Sequence, residues 1–519
     1  MENLGGRSFK KNEIALLIFV LIIWFIYICL TSAQHVIWRD EMRALSIANA
    51  GAFWELPKLL ENEGHPILWY FLLNISSNLY DNTVVLKALS VLIALGSMIL
   101  FFFYSPFKYW QKILFAFSFF PILEYSVLTR NYGISMLLLF SYAALYCNRK
   151  GNYFGLAIIL ALLANTNLHC FVLSAILVFI WVWEDILSNL KKFKLKENYN
   201  LILALLVAIA GISFSLYVFY PNSETKVVSA HLPELSNLAY LVIDSILSLG
   251  NRFSAIFPLV PIWASIILTW IFIAGLLIRP LYAIAFLASA LFFQLFFTIY
   301  YWGFPRHQGL LFMFWISLCW IILDKELVNY QNSHHKQFKM YSRRLFNIIF
   351  IYIFPFVLGL QVIQGVNDSI SEHTMVRSSS KDFGEFLGTQ PGYDDAILIG
   401  EPDYNLESVP YYVNNRIYIP REHVFRDYVS FTKNSDKTLS LEELLETGLL
   451  LKEQERKPVL IVLGHLNLHH NPNQLIQFGY SSQFTWSQSQ LEKFYRSTNK
   501  IASFYRGRSS ERYDVFEVL

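Results

Sequence analysis

The chain has 519 residues, 55% of them apolar, 17% aromatic and only 15% charged. A soluble globular protein averages about 25% charged residues, so this composition excludes a single water-soluble globule, and with it a disordered chain, a collagen-like fibre or a disulfide scaffold. The formal net charge of +3 hides an asymmetry, because residues 1–365 hold 25 basic and 17 acidic residues whereas residues 366–519 hold 16 and 21. The expected organisation is a transmembrane domain over 1–365 and a soluble extracytoplasmic domain over 366–519.

Crossing a bilayer core of about 30 Å takes about 20 apolar residues in a helix. In chain order the expected spans are Ile14–Leu30, Val84–Tyr104, Ile113–Leu128, Tyr132–Tyr146, Leu201–Tyr220, Ile262–Ile278, Leu281–Tyr300, Gly309–Ile322 and Leu345–Gln361. A further apolar stretch, Tyr153–Trp183, is interrupted at Asn165–His169 and reads as two short helices, which brings the count to about 11. The first span follows Arg7, Lys10 and Lys11 as a signal peptide would, but its 17-residue apolar core is long for one and reads as a retained anchor. Between the first two spans, Glu41–Leu60 reads as amphipathic helices broken near Gly51, and Pro66–Tyr80 as an aromatic helix lying in the membrane interface.

Lys and Arg are enriched in short cytoplasmic loops. The alternation assigns 17 of them, from Arg7 to Arg344, to one side of the membrane part and eight to the other. The N-terminus is then expected in the cytoplasm and the C-terminal domain outside, with a bacterial inner membrane as the natural setting. The same topology gathers the unusual polar residues on the outer face: Asp40 and Glu41, Glu63 and His65, Arg130 and Tyr132, Asn165, Asn167 and His169, and Arg306 and His307. Ionisable groups at membrane depth are costly and mark function, so their convergence points to one site.

Trp38-Arg39-Asp40-Glu41, Glu63-Gly64-His65-Pro66-Ile67-Leu68-Trp69-Tyr70, Thr129-Arg130-Asn131-Tyr132 and Phe304-Pro305-Arg306-His307, in this order and on this face, resemble polyprenyl-phosphate-sugar-dependent GT-C glycosyltransferases. The similarity is to the bacterial branch related to protein O-mannosyltransferases and lipid A aminoarabinose transferases, the RgtA/B/C/D-like type, and covers residues 1–365. It implies an α-helical polytopic membrane fold with outer juxtamembrane helices. The implied activity is transfer of a sugar from a polyprenyl-phosphate donor to a glycan, lipid or protein acceptor on the outer face. In that family the acidic residue of the first outer loop acts as the base or positions the acceptor, which maps onto Asp40 with Glu41 beside it. Relatives often carry a second proline after the one matching Pro66, where this chain has Ile67, and some place Lys where it has His65.

A glycosyl phosphate already carries its leaving group, so the chemistry needs one carboxylate to take the acceptor proton and cations to hold the departing phosphate. Asp40 is the expected base and Glu63 its competitor. His65, Arg130, Arg306 and His307 are the expected phosphate ligands, the arginines because their planar fork suits phosphate oxygens. Tyr132, Asn165, Asn167 and His169 are expected to line the substrate pocket. Glu63, His65 and His307 are residue types a divalent metal takes, but no H-E-x-x-H, paired-cysteine or Asp-x-Asp motif supports one, and no metal is assigned. His334-His335 and His469-His470 read as solvated. No glycine-rich nucleotide loop is present, and nothing points to nucleic acid.

Residues 366–519 alternate strand-like runs (Ala396–Gly400, Arg416–Ile419, Pro458–Gly464, Arg512–Leu519) with helical patterns (Lys381–Leu387, Leu439–Leu451, Ser487–Ser497), which reads as a soluble α/β domain. It is expected either to guide the acceptor or to stabilise the fold. Two rival functions remain: a polymerase or ligase of lipid-linked glycans, which would carry a longer Arg-rich outer loop, and a lipid-linked sugar transporter or flippase, which would place polar residues near the midplane.

Overall fold

The structure is a computed structural model that describes residues 11–519 except residues 62, 81–82, 193, 195–196, 221–234, 329–335, 431, 433, 465, 467, 469–474 and 478–481. The expectations for Arg7, Lys10, Lys196, Lys226, His334, His335, His469 and His470 fall outside the described residues.

The membrane part is helical. A first helix, α1 (Lys11–Gln34), is followed by α2 (Arg39–Asn49), the short α3 (Leu56–Leu59) and α4 (Leu68–Leu79). Then come α5 (Val85–Tyr104), α6 (Tyr109–Ala116), α7 (Tyr132–Tyr146), α8 (Tyr153–Ala164), α9 (Leu168–Asp185), α10 (Tyr199–Phe219), α11 (Leu235–Leu247), α12 (Ile262–Gly275), α13 (Pro280–Ile299), α14 (Pro305–Val328), α15 (Lys336–Ile348) and α16 (Phe354–Thr374). Among the described residues, seven helical runs are long and apolar enough to cross a membrane: Asn12–Gln34, Val85–Tyr104, Leu168–Asp185, Tyr199–Phe219, Pro280–Ile299, Pro305–Lys325 and Met340–Thr374. Three more apolar helices, Tyr132–Tyr146, Tyr153–Ala164 and Ile262–Ile278, are shorter.

One expected span has a different form. Ile113–Leu128 is not a continuous helix, because α6 stops at Ala116 and a π-helical turn, Phe120–Glu124, follows with Pro121 near its start. Proline lacks the amide a continuing helix needs, and its ring clashes with the preceding turn. The last span also runs on well beyond Gln361. Met340–Thr374 is 35 residues long, about 50 Å at 1.5 Å per residue, so it outreaches a hydrocarbon core of about 30 Å. An apolar window registers only the part suited to lipid; the polar continuation stays helical because Gln361, Gly365 and Ser369, at four-residue spacing, bury one stripe against the bundle.

Close packing fixes the bundle at a few points. A Cβ on Gly211 of α10 would stand 2.3 Å from the Cβ of Ala161 on α8, so glycine permits the two helices to touch. Polar groups at the end of the bundle far from Asp40 are internally paired. Lys325 Nζ donates to Glu184 Oε1 at 2.6 Å and to the Tyr282 hydroxyl at 2.7 Å, and Arg149 Nε donates to Asp185 at 2.9 Å.

The C-terminal part is built on a six-stranded sheet. Its elements are α17 (Ser380–Thr389), β1 (Ile397–Glu401), β2 (Ile417–Ile419), β3 (Val424–Phe425), β4 (Thr438–Ser440), α18 (Leu441–Glu455), β5 (Val459–Leu463), β6 (Leu475–Gln477), β7 (Gln483–Thr485), α19 (Gln488–Ser497), β8 (Thr498–Phe504) and β9 (Tyr513–Val518). The strand order is β3-β2-β1-β5-β9-β8, with β4, β7 and β6 in a separate small sheet. β1 pairs in parallel with β2 and β5, and β5 antiparallel with β9. Every residue of β1 and β5 is buried, as the continuous apolar run of a covered parallel strand requires. Ser440 and Glu443 form a capping box that starts α18.

This domain is bonded to the loop that carries Asp40. Ile37 N donates to the Tyr412 hydroxyl at 2.9 Å, Ser380 Oγ donates to Ile37 O at 3.0 Å, and Arg39 N donates to Glu511 Oε1 at 2.7 Å.

Candidate active site

The short turn Gln34–Trp38 between α1 and α2 places Asp40 in the first turn of α2. Glu41 caps that turn, its Oε2 accepting from Trp38 N at 3.2 Å. From α2, Asp40 faces a cavity of about 590 Å³. The turn before α7 brings Arg130 to it, and the start of α14 brings Arg306. Gly64, at φ +65°, provides the left-handed turn that precedes His65.

Of the residues expected from the sequence, Asp40, Glu63, His65, Arg130, Tyr132, Asn167, His169, Arg306 and His307 all line this one cavity. Two do not. Glu41 is fully buried behind it, accepting from Thr129 N at 2.6 Å, Thr129 Oγ1 at 3.1 Å and His35 at 2.8 Å, so it has no free oxygen to offer a substrate. Asn165 closes the end of α8 instead, its amide donating to Ala161 O at 2.8 Å and Gly211 O at 2.9 Å. Both are corrections to the expected site, and the reason is similar: the Glu41 carboxylate and the Asn165 amide nitrogen are engaged by backbone or polar groups that would otherwise be buried without a partner, although Asn165 Oδ1 itself has none among the described residues.

Asp40 is the electrostatic centre. Its Oδ2 lies 2.7 Å from Arg130 Nη1 and 3.6 Å from Arg306 Nη2, and its Oδ1 lies 3.6 Å from Arg39 Nε. Burial by itself raises a carboxyl, but Arg130, Arg306 and Arg39 outweigh it and hold Asp40 well below the usual carboxylate range. Arg306 stacks on Phe304 at 4.5 Å, and its Nε is buried with no hydrogen-bond acceptor among the described residues. Burial, then the charge of Arg130, pushes His65 down to about 4, so it is neutral near pH 7. His307 Nδ1 accepts from Phe304 N at 3.2 Å, which leaves the proton on Nε2, and its ring stacks on His169 at 5.0 Å.

Glu63 lines the cavity but is tied to Arg43, which also pairs with Glu407 of the C-terminal domain. That engagement argues against Glu63 as a free base. Arg39, Arg43, Tyr70, Tyr301, Tyr404 and Glu407 also line the cavity and were not among the expected site residues. Arg39 and Arg43 had a signal, since they flank Asp40 four residues apart on one helical face. Tyr404 and Glu407 had none, because only the docking of the C-terminal domain brings them there. The cavity is polarised: Phe219, Phe296, Tyr300, Tyr301 and Phe304 line an aromatic part, and Arg39, Arg43, Glu63, Tyr404 and Glu407 a charged part. Among the described residues no group of three or more His, Cys, Asp or Glu side chains is arranged to hold a metal ion.

No family model and no curated protein matches the chain. Among solved structures it is similar to ArnT from Cupriavidus metallidurans, both bound to undecaprenyl phosphate (11% identity, 98% of each chain, TM-score 0.45) and in the apo state (12% identity, 97% of each chain, TM-score 0.45). On its own structure, the chain is a helical integral membrane protein whose C-terminal sheet domain is docked over an arginine-rich cavity.

Proposed function

We propose that the protein transfers a sugar from a polyprenyl-phosphate donor to an acceptor hydroxyl at the outer face of the membrane. The observation that carries this reading is the meeting of Asp40, Arg130 and Arg306 in one cavity with an aromatic wall. The resemblance of the Asp40, His65, Arg130 and Arg306 motifs to lipid-linked-sugar transferases supports it.

The donor phosphate is held by Arg130 and Arg306, with His65 and the Nε2–H of His307 as neutral donors. The isoprenoid chain lies along Phe219, Phe296, Tyr300 and Tyr301. The acceptor comes from the charged part beneath Tyr404 and Glu407. Its oxygen attacks the anomeric carbon, the bond from that carbon to the phosphate oxygen breaks, and the phosphate leaves with the electron pair. The acceptor proton goes to Asp40.

A carboxylate held by two arginines is a weak base. Phosphate arriving on Arg130 and Arg306 draws them from Asp40 and raises its proton affinity, so the donor itself activates the base. Arginine charge also stabilises the leaving phosphate in a water-poor site. The orientation with the N-terminus in the cytoplasm and the site outside rests on the Lys and Arg distribution.

The test is purified full-length protein given a panel of polyprenyl-phosphate sugars and glycan, lipid and protein acceptors. Release of polyprenyl phosphate together with a glycosylated acceptor supports the reading. Movement of intact lipid-linked sugar across liposomes without transfer would replace it with transport.

A further inference from the structure

His35 sits between two carboxylates. Its Nε2 lies 2.8 Å from Glu41 Oε2 and its Nδ1 lies 2.6 Å from Glu372 Oε1, and the residue is 2% exposed. Ionised carboxylates only accept hydrogen bonds, so an imidazole that satisfies both must donate from both nitrogens and carry a positive charge. The other oxygen of Glu41 takes Thr129 N and Oγ1, and Thr129 directly precedes Arg130. These contacts join α16, the turn before α2 and the turn before α7 into one line that ends at the guanidinium facing Asp40.

We infer that Glu372, His35 and Glu41 form a positioning chain that sets Arg130 in the site, and that the chain works only while His35 is an imidazolium. The inference rests on the reading of Arg130 as a phosphate ligand. Without its second proton the ring would turn a lone pair toward a carboxylate at hydrogen-bond distance, and one of the two would have to rotate away. Rotation of Glu41 removes the acceptor of Thr129 N and releases the Arg130 turn. What then remains on that turn is Arg130 N on Leu128 O at 2.9 Å, Val127 N and Leu128 N on Leu123 O, Ser90 Oγ on Ser126 O and Leu128 O, Asn131 Nδ2 on Thr166 O, and the ion pair of Arg130 with Asp40. None of them touches Thr129.

Besides its two carboxylate partners, charged and titratable groups face the chain around His35 from several elements: Glu124, at the end of the π-helical turn, faces Glu372, and Tyr411 and Tyr412 of the C-terminal domain face Glu41. Lys87 Nζ on α5 donates to His35 O at 2.7 Å, Arg377 lies 3.8 Å from Glu372, and His373 faces Thr31 and Gln34. Burial opposes the charge on His35, but the two carboxylates outweigh it and push the imidazole above its usual range. The sign follows: Arg130 is held at low and neutral pH and is released as pH rises through the elevated value.

The experiment measures equilibrium binding of undecaprenyl phosphate to the full-length protein in detergent, from about pH 6 to about pH 10, for the native chain, His35→Gln, Glu372→Gln and Arg130→Ala. Titration of the lipid phosphate is common to all four and cancels in the ratios. His35→Gln should bind about tenfold more weakly than native at the acid end, the loss of one charge-assisted bond, and the gap should close as the native imidazolium deprotonates. Glu372→Gln keeps an acceptor for Nδ1 but loses a charge, so it should lose affinity at a lower pH than native. If His35→Gln does not fold, this shift decides, and an unshifted midpoint overturns the inference. Native-like binding by His35→Gln at every pH, with binding lost in Arg130→Ala, overturns the positioning chain and leaves the site intact. Unchanged binding by Arg130→Ala overturns the phosphate reading itself.

Discussion

Arg130 Nη1 stands 2.7 Å from Asp40 Oδ2, although the two residues are 90 positions apart in the sequence. That pair joins the expected base to an expected phosphate ligand, and in the proposed reaction the carboxyl gains proton affinity only when a second anion competes for the arginine.

Asp40→Asn should lower the transfer rate about 10²–10⁴-fold while leaving donor binding near native, because general-base assistance is lost but the arginines remain. Rate and donor KM measured separately on the same preparation check this. Arg130→Lys and Arg306→Lys should do the reverse in part, raising donor KM because an ammonium cannot replace a two-pronged guanidinium. An Asp40→Asn variant with the native rate would remove the role assigned to that carboxyl.

His65 is neutral in the unliganded site, pushed down to about 4 by burial and then by Arg130. It therefore contributes a hydrogen bond and not a charge near neutral pH. His65→Gln should retain most of the activity, and the free-enzyme pH profile of kcat/KM should look the same in the two proteins between about pH 6 and about pH 8. A limb of the native profile near pH 6.5 that disappears in His65→Gln would show that His65 acts as a cation.

Glu511 fastens the C-terminal domain to the Asp40 loop by accepting from Arg39 N at 2.7 Å and from Ser408 Oγ at 3.2 Å. Burial pushes its carboxyl up to about 7, above the unfolded value near 4.3. Between those values the folded state binds more protons than the unfolded one, so this group's contribution to stability falls as pH rises. Glu511→Gln should flatten that part of the pH dependence. Thermal unfolding at about pH 5 and about pH 8.5 for both proteins measures it: the difference between the two pH values should be smaller by several degrees in Glu511→Gln than in the native chain, the rest belonging to other raised carboxyls such as Glu401 and Glu407.

Gly211→Val should disrupt the bundle, because even a Cβ at that position would overlap Ala161. Overpacking of this kind costs about 1–3 kcal/mol where helices can shift and more where they cannot. Thermal stability in detergent reports the loss, and Ala161→Gly in the same chain should recover part of it.

Four of the nine strands and the three helices of the C-terminal domain were legible to within a few residues because apolar runs and helical periodicity are local signals. β1, β2, β5 and β9 all fall on expected runs, and α17, α18 and α19 on expected helical patterns, the last two capped by Ser440 and Ser487. β3, β4, β6 and β7, of two or three residues each, and β8 were not among the expected strands, since such short segments and the weakly alternating Thr498–Phe504 are strands only by their pairing. Nor was the break expected at Phe120–Glu124, where apolar residues continue across a change of helix type.

In the site, residue type and side of the membrane carried most of the information. Charges are rare in an apolar chain, so each one beside an apolar helix stood out, and nine of the expected residues share the cavity. Glu41 and Asn165 show the limit of that logic, because a polar side chain at the membrane face serves backbone donors as readily as a substrate.

The sequence by itself determined that much of the chain is apolar enough for lipid, where most of the long helices run, and which charges in that apolar background deserved notice, since hydropathy and charge act locally along the chain. Only the tertiary structure decided which of two adjacent carboxylates faces the cavity. Asp40 and Glu41 differ by about 100° around α2. That rotation turns one toward Arg130 and Arg306 and the other toward His35 and Thr129, and no local property of either residue records it.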